Sequence, residues 1–516
     1  MDSLVLSIDC GTQSLRALLF YPDGTLFAKK QIQYDPYVSP KPGWAEQDPE
    51  IFWQSLCQAT QALKRDYPDE FNRIRGVGVT TQRDSMVNLD ATGQPLRPVI
   101  TWLDQRKANM TYVPNKLLQM GLKAVGMEEA LKKTQTDGKC NWIIQHQPEI
   151  WKKTHKYVQV SGFLNFRLTG QFVDSVASQI GHIPMDYKRM RWAPSYQFTS
   201  LLFPIDKKKL PEIVNPGTQL GVISFDASQQ TGIHEGTPVI ACGSDKGCET
   251  IGMGVLNTSM ASLSFGTTAT VQTTTKNYFE PIRFMPPYPA PIPGHYNPEV
   301  EIFRGYWMIT WFKNEFAYKE VIEAQHLNKP VEEILNDLLY ESPPGSMGLM
   351  VQPYWGPGLK HPEAKGAMIG FGDVHKKAHV YRAVIEGLGY ALLDGLHSIE
   401  QSGKCKVKKV TVSGGASQSD AICQITSDIF NLPLVRGITY ETSGLGAAIV
   451  TSVGLNFYSS FSQAVEKMVH YDKEFIPNKN NVALYSELYK KVYKKMYVTL
   501  KSLYQDIRDI TGYPEK

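Results

Sequence analysis

The first residues of the chain alternate between strand-like runs and short polar turns, which is the pattern of a β-meander. Strand-like runs at residues 4–9, 17–21 and 26–33 are separated by turns that contain Gly11 and Gly24. Asp48 and Pro49 then precede apolar residues at helical spacing, since Asp is a good N-cap and Pro suits the first turn of a helix. Short apolar runs at 74–80 and 86–90 predict two more strands. This alternation of strands and helices favours an α/β domain.

The strand-and-turn pattern of the N-terminus returns in the middle of the chain. An apolar run at 259–265 leads into Gly266-Thr267-Thr268, and residues 269–275 form a β-rich partner. The chain therefore has two candidate related halves, with chance similarity as the open alternative. A strand that begins at Pro238 and ends at Asp245 closes the first half.

The remaining patterns predict helices and one irregular segment. Residues 105–167 are expected to be helical, and the proline-rich stretch 281–298 is expected to be irregular. Helices are predicted at 378–399, 420–430 and 445–453, with a strand at 409–413. The tail, 482–510, places apolar residues and tyrosines at intervals of four. It predicts an amphipathic helix that packs on the body of the protein; a helix that binds a partner is the alternative.

Composition narrows the class of protein. A chain of 516 residues is too long for one core and predicts two or three domains. The net charge of +4, without a basic stripe carrying aromatics, argues against nucleic-acid binding. No apolar run approaches the roughly 18 residues that span a bilayer. Seven Cys without a CxxC pair, and no secretory signal after Met1, predict a cytoplasmic protein with reduced thiols.

Three Gly-rich turns follow strand-like segments, at 9–14, 264–268 and 413–420. Such turns can offer backbone N–H groups and hydroxyls to phosphates, and a Gly-Gly turn lets backbone approach a nucleoside closely. A carboxylate at a strand end, Asp9, can hold a hydrated magnesium ion. The alternative for the first turn is an ordinary hairpin. Because no Walker A sequence or GxGxxG motif is present, P-loop and Rossmann folds are disfavoured.

Two further groups could carry chemistry. Asp245 could accept the proton of a substrate hydroxyl during attack on phosphorus, or it could simply be a helix N-cap. Gln82, Arg83 and Asp84 could bind vicinal hydroxyls while Trp102 gives a flat apolar wall. The alternative for this second group is a surface turn with a core Trp.

Several motifs, in order, resemble the FGGY family of carbohydrate kinases over nearly the whole chain. Residues 9–16 resemble the family's first phosphate motif, and Gly43-Trp44 with Glu46, Asp48 and Pro49 its "GW-E-DP" segment. Gly243-Ser-Asp245 resembles the catalytic-base motif, and Ser264-Phe-Gly-Thr-Thr268 resembles the second phosphate motif. Residues 366–370 and 379–387 resemble the C-terminal signature, and Gly414-Gly415 with Ser419 the adenosine motif.

The resemblance implies a two-domain actin-like ATPase (ribonuclease H-like) α/β fold with a nucleotide cleft between the domains. The implied division is an N-terminal domain at 1–253, a C-terminal domain at 254–455 and a helical tail at 456–516. It also implies ATP, Mg²⁺ and a small sugar or polyol as ligands, with a homodimer left open. Closure of the domains would exclude water.

The resemblance assigns roles to individual residues. Asp245 is expected to be the general base, and Asp9 and Asp245 to hold magnesium. The nucleotide would be bound by Gly11, Thr12, Gln13, Ser14, Arg16, Gly266, Thr267, Gly414, Gly415 and Ser419. The sugar would be bound by Gln82, Arg83, Asp84, Trp102 and Asp245.

The sugar site departs from single members of the family. Gln82-Arg83-Asp84 resembles glycerol kinase, which has Glu in place of Asp84, whereas Ser264-Phe-Gly-Thr-Thr is more similar to xylulokinase. The acceptor is therefore left open among a ketopentose, a tetritol or pentitol, and glycerol. Two rival functions are an actin-like ATPase that acts as a scaffold or chaperone, and a sugar sensor without catalysis. Asp245 with the Arg83, Asp84 and Trp102 cluster argues against the scaffold, and the presence of Asp9 and Asp245 argues against the sensor.

Overall fold

The computed structural model describes residues 3–124, 128–283, 285–356 and 364–513. It divides into two compact units. Unit 1 comprises Met1–Gly254, Tyr288–Asn297 and Glu441–Val469, and unit 2 comprises Val255–Pro287, Pro298–Tyr440 and His470–Lys516. The sequence-based division at 253 and 455 did not place Glu441–Val469 with the first unit.

Unit 1 is built on a six-stranded sheet. Its strands are β1 (Leu4–Cys10), β2 (Ser14–Phe20), β3 (Leu26–Gln33), β4 (Ile74–Thr81), β5 (Gln219–Val222) and β6 (Pro238–Ile240). The order across the sheet is β5-β6-β4-β1-β2-β3. β4 pairs in parallel with β1 and β6, and the other neighbours are antiparallel. The predicted meander and the strand after the first helix are confirmed.

Helices and short strand pairs complete unit 1. The first long helix begins at Pro49, and the Asp48 side chain accepts from the Glu50 N–H as predicted for its N-cap. The helices are Pro49–Asp66, Pro68–Phe71, Lys116–Ala124, Glu128–Thr136, Lys139–His146, Pro148–Lys153, Val160–Thr169, Phe198–Leu202, Phe225–Thr231, Asp245–Gly252, Thr442–Gly454 and Phe461–Met468. The short strands are Glu46–Gln47, Met86–Leu89, Val99–Ile100, Lys156–Gln159, Val173–Ser175, Met185–Asp186, Arg191–Trp192, Glu212–Val214, Tyr288–Pro289 and Tyr296–Asn297.

Two predictions about segments of unit 1 were wrong. The region 105–167 is helical only from Lys116 onward, and the strand Lys156–Gln159 interrupts it. That strand pairs with Met86–Leu89, and its residues Tyr157 and Val158 are buried. Such tertiary pairing outweighs helical propensity. The proline-rich stretch is not wholly irregular, because Tyr288–Pro289 pairs with Tyr296–Asn297. An isolated strand pair tolerates proline.

Unit 2 repeats the sheet plan of unit 1. Its strands are β7 (Met260–Phe265), β8 (Ala269–Gln272), β9 (Glu299–Ile302), β10 (Lys409–Ser413), β11 (Leu434–Gly437) and β12 (Tyr471–Phe475). The order is β9-β8-β7-β10-β11-β12, with β10 parallel to β7 and β11 and the other neighbours antiparallel. The two sheets match when unit 1 is read from β3 and unit 2 from β9. Each then has two antiparallel pairings, two parallel pairings and a last antiparallel pairing.

The helices of unit 2 pack on this sheet. The longest helix, Lys377–Gly403, is buried along most of its length. The helices are Trp307–Phe316, Tyr318–Leu327, Val331–Glu341, Lys377–Gly403, Asp420–Phe430, Lys479–Leu488 and Lys494–Thr511, and Met350–Gln352 pairs with Ala367–Ile369. No helix in the described ranges is both long and apolar enough to cross a membrane.

The C-terminal tail packs on unit 2 through tyrosines. Tyr485, Tyr489 and Tyr493 are buried, whereas Leu484 is 41% exposed. A π-helical turn at Tyr489–Tyr493 joins the two tail helices and so widens the local helical repeat. The predicted amphipathic tail is present, but its packed face is the aromatic one.

Candidate active site

The first Gly-rich turn lies between β1 and β2 in unit 1. Its ends are joined by a hydrogen bond from the Gly11 N–H to the Ser14 carbonyl at 2.9 Å. The Tyr34 hydroxyl donates to the Gly11 carbonyl at 2.7 Å, and Gln47 Nε2 donates to the Thr12 carbonyl at 3.1 Å. Because its carbonyls point away into these donors, the turn is held in one conformation. Gln13 accepts from the Tyr34 N–H, and Ser14 begins β2.

Asp9 and Arg16 lie opposite each other on β1 and β2. Arg16 Nη1 is 3.1 Å from Asp9 Oδ2, and Arg16 Nε is 3.5 Å from Glu441 Oε2. Glu441 also accepts from Lys29 at 2.7 Å. Arg16 therefore bridges a buried carboxylate at the strand end and a second carboxylate that precedes the helix Thr442–Gly454.

The pKa of Asp9 is raised to about 6, mainly because the carboxyl is buried; Asp245 and Glu441 contribute to the rise, and Arg16 opposes it. A buried carboxylate with a nearby anion is stabilised in its charged form by a cation. Asp9 and Asp245 thus suit a hard cation such as Mg²⁺, which proteins hold through one or two carboxylates, waters and substrate phosphates. No three His, Cys, Asp or Glu side chains form a self-sufficient metal site in the described part of the chain.

Asp245 is the first residue of the helix Asp245–Gly252, just after β6. The N-cap is Ser244, whose Oγ accepts from the Gly247 N–H at 3.3 Å. The N-cap alternative for Asp245 is therefore wrong. Its Oδ1 accepts from the Lys246 N–H at 2.7 Å. Burial raises the pKa of Asp245, while Arg83 and Lys246 lower it. A carboxylate with a raised pKa is a better proton acceptor than an ordinary one.

Three of the predicted site residues are joined by one hydroxyl. Thr12 Oγ1 donates to Gln82 Oε1 at 3.2 Å and accepts from Trp102 Nε1 at 2.9 Å. Trp102 is 39% exposed, so the alternative of a core Trp is wrong. A hydroxyl has a single proton, so Thr12 would have to turn from Gln82 to donate to a phosphate.

The segment Gly43–Pro49 fixes the loop that carries Trp102. The Thr101 N–H donates to the Ala45 carbonyl at 3.0 Å, and Asp104 Oδ2 accepts from the Ala45 N–H at 2.6 Å. Arg106 binds Asp104 through two nitrogens and lies 3.8 Å over the Trp44 ring. This segment thus positions Trp102, a role that sequence reasoning had not given it.

Arg83 and Asp84 diverge although they are neighbours in sequence. Arg83 Nε lies 4.0 Å from Asp245 Oδ1, and its guanidinium lies 5.4 Å over the Tyr288 ring. Asp84, with φ +53°, turns instead toward Lys139 and His182. Burial acts to raise the pKa of Asp84, but Lys139 and His182 outweigh it and leave that pKa well below its usual value. Sequence reasoning missed Tyr288, Lys139 and His182, because each is distant in sequence and carries no motif.

The other two Gly-rich turns meet in unit 2. Gly414 has φ +86°, and a Cβ there would lie 2.8 Å from the Phe265 carbonyl oxygen and 3.1 Å from the Gly266 nitrogen. Gly415 would have no atom within 4 Å of a Cβ. The Tyr306 N–H donates to the Gly266 carbonyl and that of Trp307 to the Thr267 carbonyl. The close approach of the two turns requires glycine at 414.

Ser419 has a structural task within unit 2. It is the N-cap of the helix Asp420–Phe430, and its Oγ accepts from the Ile422 N–H at 3.2 Å and donates to Asn336 Oδ1 at 2.6 Å. Its predicted contact with a nucleoside stays a prediction.

Comparison with known proteins identifies the family. The family model "FGGY family of carbohydrate kinases, N-terminal domain" matches residues 4–252, and the C-terminal domain model matches residues 261–455. The chain belongs to the FGGY family of carbohydrate kinases. As an FGGY carbohydrate kinase, it phosphorylates a sugar or polyol with ATP as co-substrate.

Relatives and solved structures of FGGY kinases agree with this assignment. The chain is 28% identical over 492 residues to a xylulose kinase of Lactococcus lactis, with 94% of each chain covered. Ligand-bound xylulose kinase from Lactobacillus acidophilus superimposes with a TM-score of 0.83 at 22% identity, covering 98% and 99% of the two chains. Gluconate kinase from the same organism superimposes with a TM-score of 0.82 at 23% identity, covering 98% of this chain and 100% of that one. The predicted actin-like α/β fold of two domains is confirmed.

Proposed function

We propose that this FGGY kinase phosphorylates a small neutral ketose or polyol, with Asp245 as the general base. The preferred acceptor is a ketopentose, or a tetritol or pentitol, rather than glycerol. Residues 1–253 supply the acceptor site and base, and residues 254–455 supply the nucleoside groups. The observation that carries the proposal is Asp245, a partly exposed carboxyl of raised pKa whose Oδ1 lies 4.0 Å from Arg83 Nε.

In the proposed reaction the acceptor hydroxyl gives its proton to Asp245 as its oxygen bonds to the γ-phosphorus. The bond from that phosphorus to the β-γ bridging oxygen breaks, and ADP leaves. Asp9 and Asp245 would hold Mg²⁺, which when bound supplies positive charge to the phosphates. Arg16 balances the charge of Asp9, to which it is hydrogen-bonded at 3.1 Å. The N–H groups of the turn Gly11–Ser14 are proposed to contact the phosphates.

Phosphate and nucleoside contacts are also proposed for unit 2. Gly266 and Thr267 would bind phosphate through the turn between β7 and β8. Gly414 and Gly415 would let the backbone approach the nucleoside, since Gly414 adopts a positive φ and Gly415 has open space where a side chain would be. Ser419 would complete this side from the start of its helix.

The choice of acceptor is proposed from Arg83, which lies beside Asp245, together with Gln82, Asp84 and Trp102. Arg83 offers a charged donor, Asp84 a charged acceptor and Gln82 an amide, while the exposed Trp102 ring offers an apolar wall. Asp84 is one methylene shorter than Glu and leaves room for a longer carbon chain than glycerol. The xylulose kinase relative supports a ketopentose.

A panel of acceptors tests this proposal. We expect ATP turnover to be stimulated by a ketopentose, a tetritol or a pentitol more than by glycerol, and not by gluconate. Turnover without any acceptor would support an ATPase scaffold, and sugar binding without turnover would support a sensor. A preference for gluconate would show that the site takes a sugar acid and would contradict a neutral acceptor.

A further inference from the structure

We propose that Lys139 and His182 are positioning residues for acceptor recognition. They hold the Asp84 carboxylate so that its Oδ1 can accept a hydrogen bond from a hydroxyl of the sugar or polyol. This inference rests on the proposed function, because it concerns the acceptor site. Both residues lie far from Asp84 in sequence and reach it only in the folded unit 1.

The contacts to Asp84 are short and come from three donors. Lys139 Nζ lies 2.6 Å from Oδ2, and His182 Nδ1 lies 2.8 Å from the same oxygen. The His182 backbone N–H donates to Oδ1 at 3.0 Å. The Lys139 side chain is 7% exposed and that of Asp84 17%. The carboxylate is therefore held firmly while one side of it still meets solvent.

The two oxygens of Asp84 differ in what they can still accept. A carboxylate oxygen has about two lone-pair positions. Oδ2 accepts two hydrogen bonds, from Lys139 and His182, whereas Oδ1 accepts one from the described residues. Oδ1 is thus the atom with capacity for a further donor, and a sugar hydroxyl is such a donor.

The position of Lys139 is energetically unfavourable without this role. It is the first residue of the helix Lys139–His146, where a positive charge opposes the helix dipole. It is also buried, and burying an ammonium group is costly unless it is paired. A buried ion pair is weak evidence for stability, since apolar residues often stabilise as much. The pair is better explained by a requirement for a fixed, ionised Asp84.

The backbone around Asp84 also fixes the position of its carboxylate. Asp84 itself has φ +53°, which L-residues with a side chain seldom adopt. Gly181 has φ +137°, and a Cβ there would lie 2.3 Å from Asp84 Oδ1. The carboxylate thus occupies space that only glycine leaves open. Such strain clusters at functional sites, where the surrounding structure fixes it.

The test is a double-mutant cycle that joins Lys139→Met to Asp84→Asn. Lys139→Met should lower kcat/KM for the acceptor by about 10- to 100-fold and change the KM for ATP by less than about twofold. In the Asp84→Asn background, the same change should cost less than about threefold, because Lys139 acts through that carboxylate. Lys133→Met is the matched control, since Lys133 pairs with Asp137 and is 55% exposed.

Conservative variants separate positioning from folding. His182→Asn places an amide N–H near the position of Nδ1 and should keep kcat/KM within about threefold, whereas His182→Leu should lose about tenfold. If Lys139→Met does not fold, Lys139→Arg replaces it. Because arginine keeps the positive charge beside Asp84, Lys139→Arg should retain acceptor activity. Full additivity in the cycle, or equal losses for acceptor and ATP, would overturn the inference.

The cycle is run on whichever acceptor the wild-type enzyme uses best. If that acceptor is gluconate, the proposed neutral acceptor fails, yet coupling between Lys139 and Asp84 still supports their shared role. If the acceptor is neutral and no coupling is seen, the inference fails and the proposed function stands.

Discussion

The two sheets carry the same hairpin but different charges at its turn. In unit 1, Asp9 on β1 pairs with Arg16 on β2. In unit 2, the residue at the same place before the Gly-Thr turn is Ser264, and it pairs with Thr270. Both hairpins lie beside a parallel strand, β4 or β10. The shared plan thus leaves one turn charged and the other neutral.

This difference indicates a division of tasks between the units. The charged turn of unit 1 has Asp245, Arg16 and Glu441 within electrostatic range of Asp9. The neutral turn of unit 2 lies against the backbone of Gly414. We infer that unit 1 supplies the groups for cation binding and proton transfer, and unit 2 supplies backbone for the nucleotide.

The largest expected effect concerns Asp245. Asp245→Asn keeps the shape of the side chain and removes the proton acceptor, so kcat should fall by about 10²–10⁴, with little change in nucleotide affinity. Ser264→Ala in unit 2 is the comparison and should change kcat by less than about threefold. Steady-state kinetics with saturating substrates measure both. A kcat near that of wild type in Asp245→Asn would show that the residue is not the base.

The next effect concerns the charged turn itself. Asp9→Asn removes a carboxylate beside Arg16 and should raise the magnesium concentration required for half-maximal activity by about tenfold or more. Ser264→Ala should leave that concentration unchanged. Magnesium titrations of the two variants at fixed ATP measure the difference. An equal magnesium requirement in all three proteins would remove the contrast between the turns.

The pKa of Asp9 predicts a pH dependence. Because that pKa is raised from 3.8 to about 6, Asp9 gains a proton as the pH falls through about 6 and loses its affinity for a cation. Activity at subsaturating magnesium should fall over this range. Saturating magnesium competes with the proton and should move the fall to lower pH. If the fall in activity at low pH does not move with magnesium, a group other than Asp9 causes it.

The smallest effect concerns the length of the acceptor. Asp84→Glu lengthens the side chain by one methylene at the proposed acceptor site and should lower kcat/KM for the longer acceptor relative to glycerol by about three- to tenfold. The measurement is the ratio of the two specificity constants in the wild type and the variant. An unchanged ratio would show that residue 84 does not set acceptor length.

Local patterns in the sequence predicted most of the fold. The hairpin turns, the helix at Pro49 and the strand Lys409–Ser413 follow from turn chemistry, capping and apolar runs that lie within a few residues. The strand Lys156–Gln159 was missed because its partner is Met86–Leu89, far away in the chain. The sequence left open which side of the tail helix packs, because tyrosines and leucines are both compatible with a helical stripe.

The candidate site shows the same limit. The glycine turns and the carboxylates Asp9 and Asp245 could be named because each ends or follows a strand-like run in the sequence. Lys139 and His182 could not, since a lysine at a helix start and a single histidine have no distinctive pattern. Their partner becomes visible only once Asp84 adopts a positive φ and turns toward them.

Binding of each ligand alone tests the division of tasks most directly. Titration calorimetry would compare ADP and the preferred acceptor in Gly414→Ala, Gly415→Ala and Arg83→Met. Gly414→Ala should weaken the binding of ADP by about tenfold or more and leave the binding of the acceptor unchanged, because a Cβ at φ +86° meets Phe265. Gly415→Ala, with open space there, should bind ADP more tightly than Gly414→Ala does. Arg83→Met should weaken the acceptor by about tenfold or more and spare ADP. Loss of both ligands together in either Gly414→Ala or Arg83→Met would contradict the account.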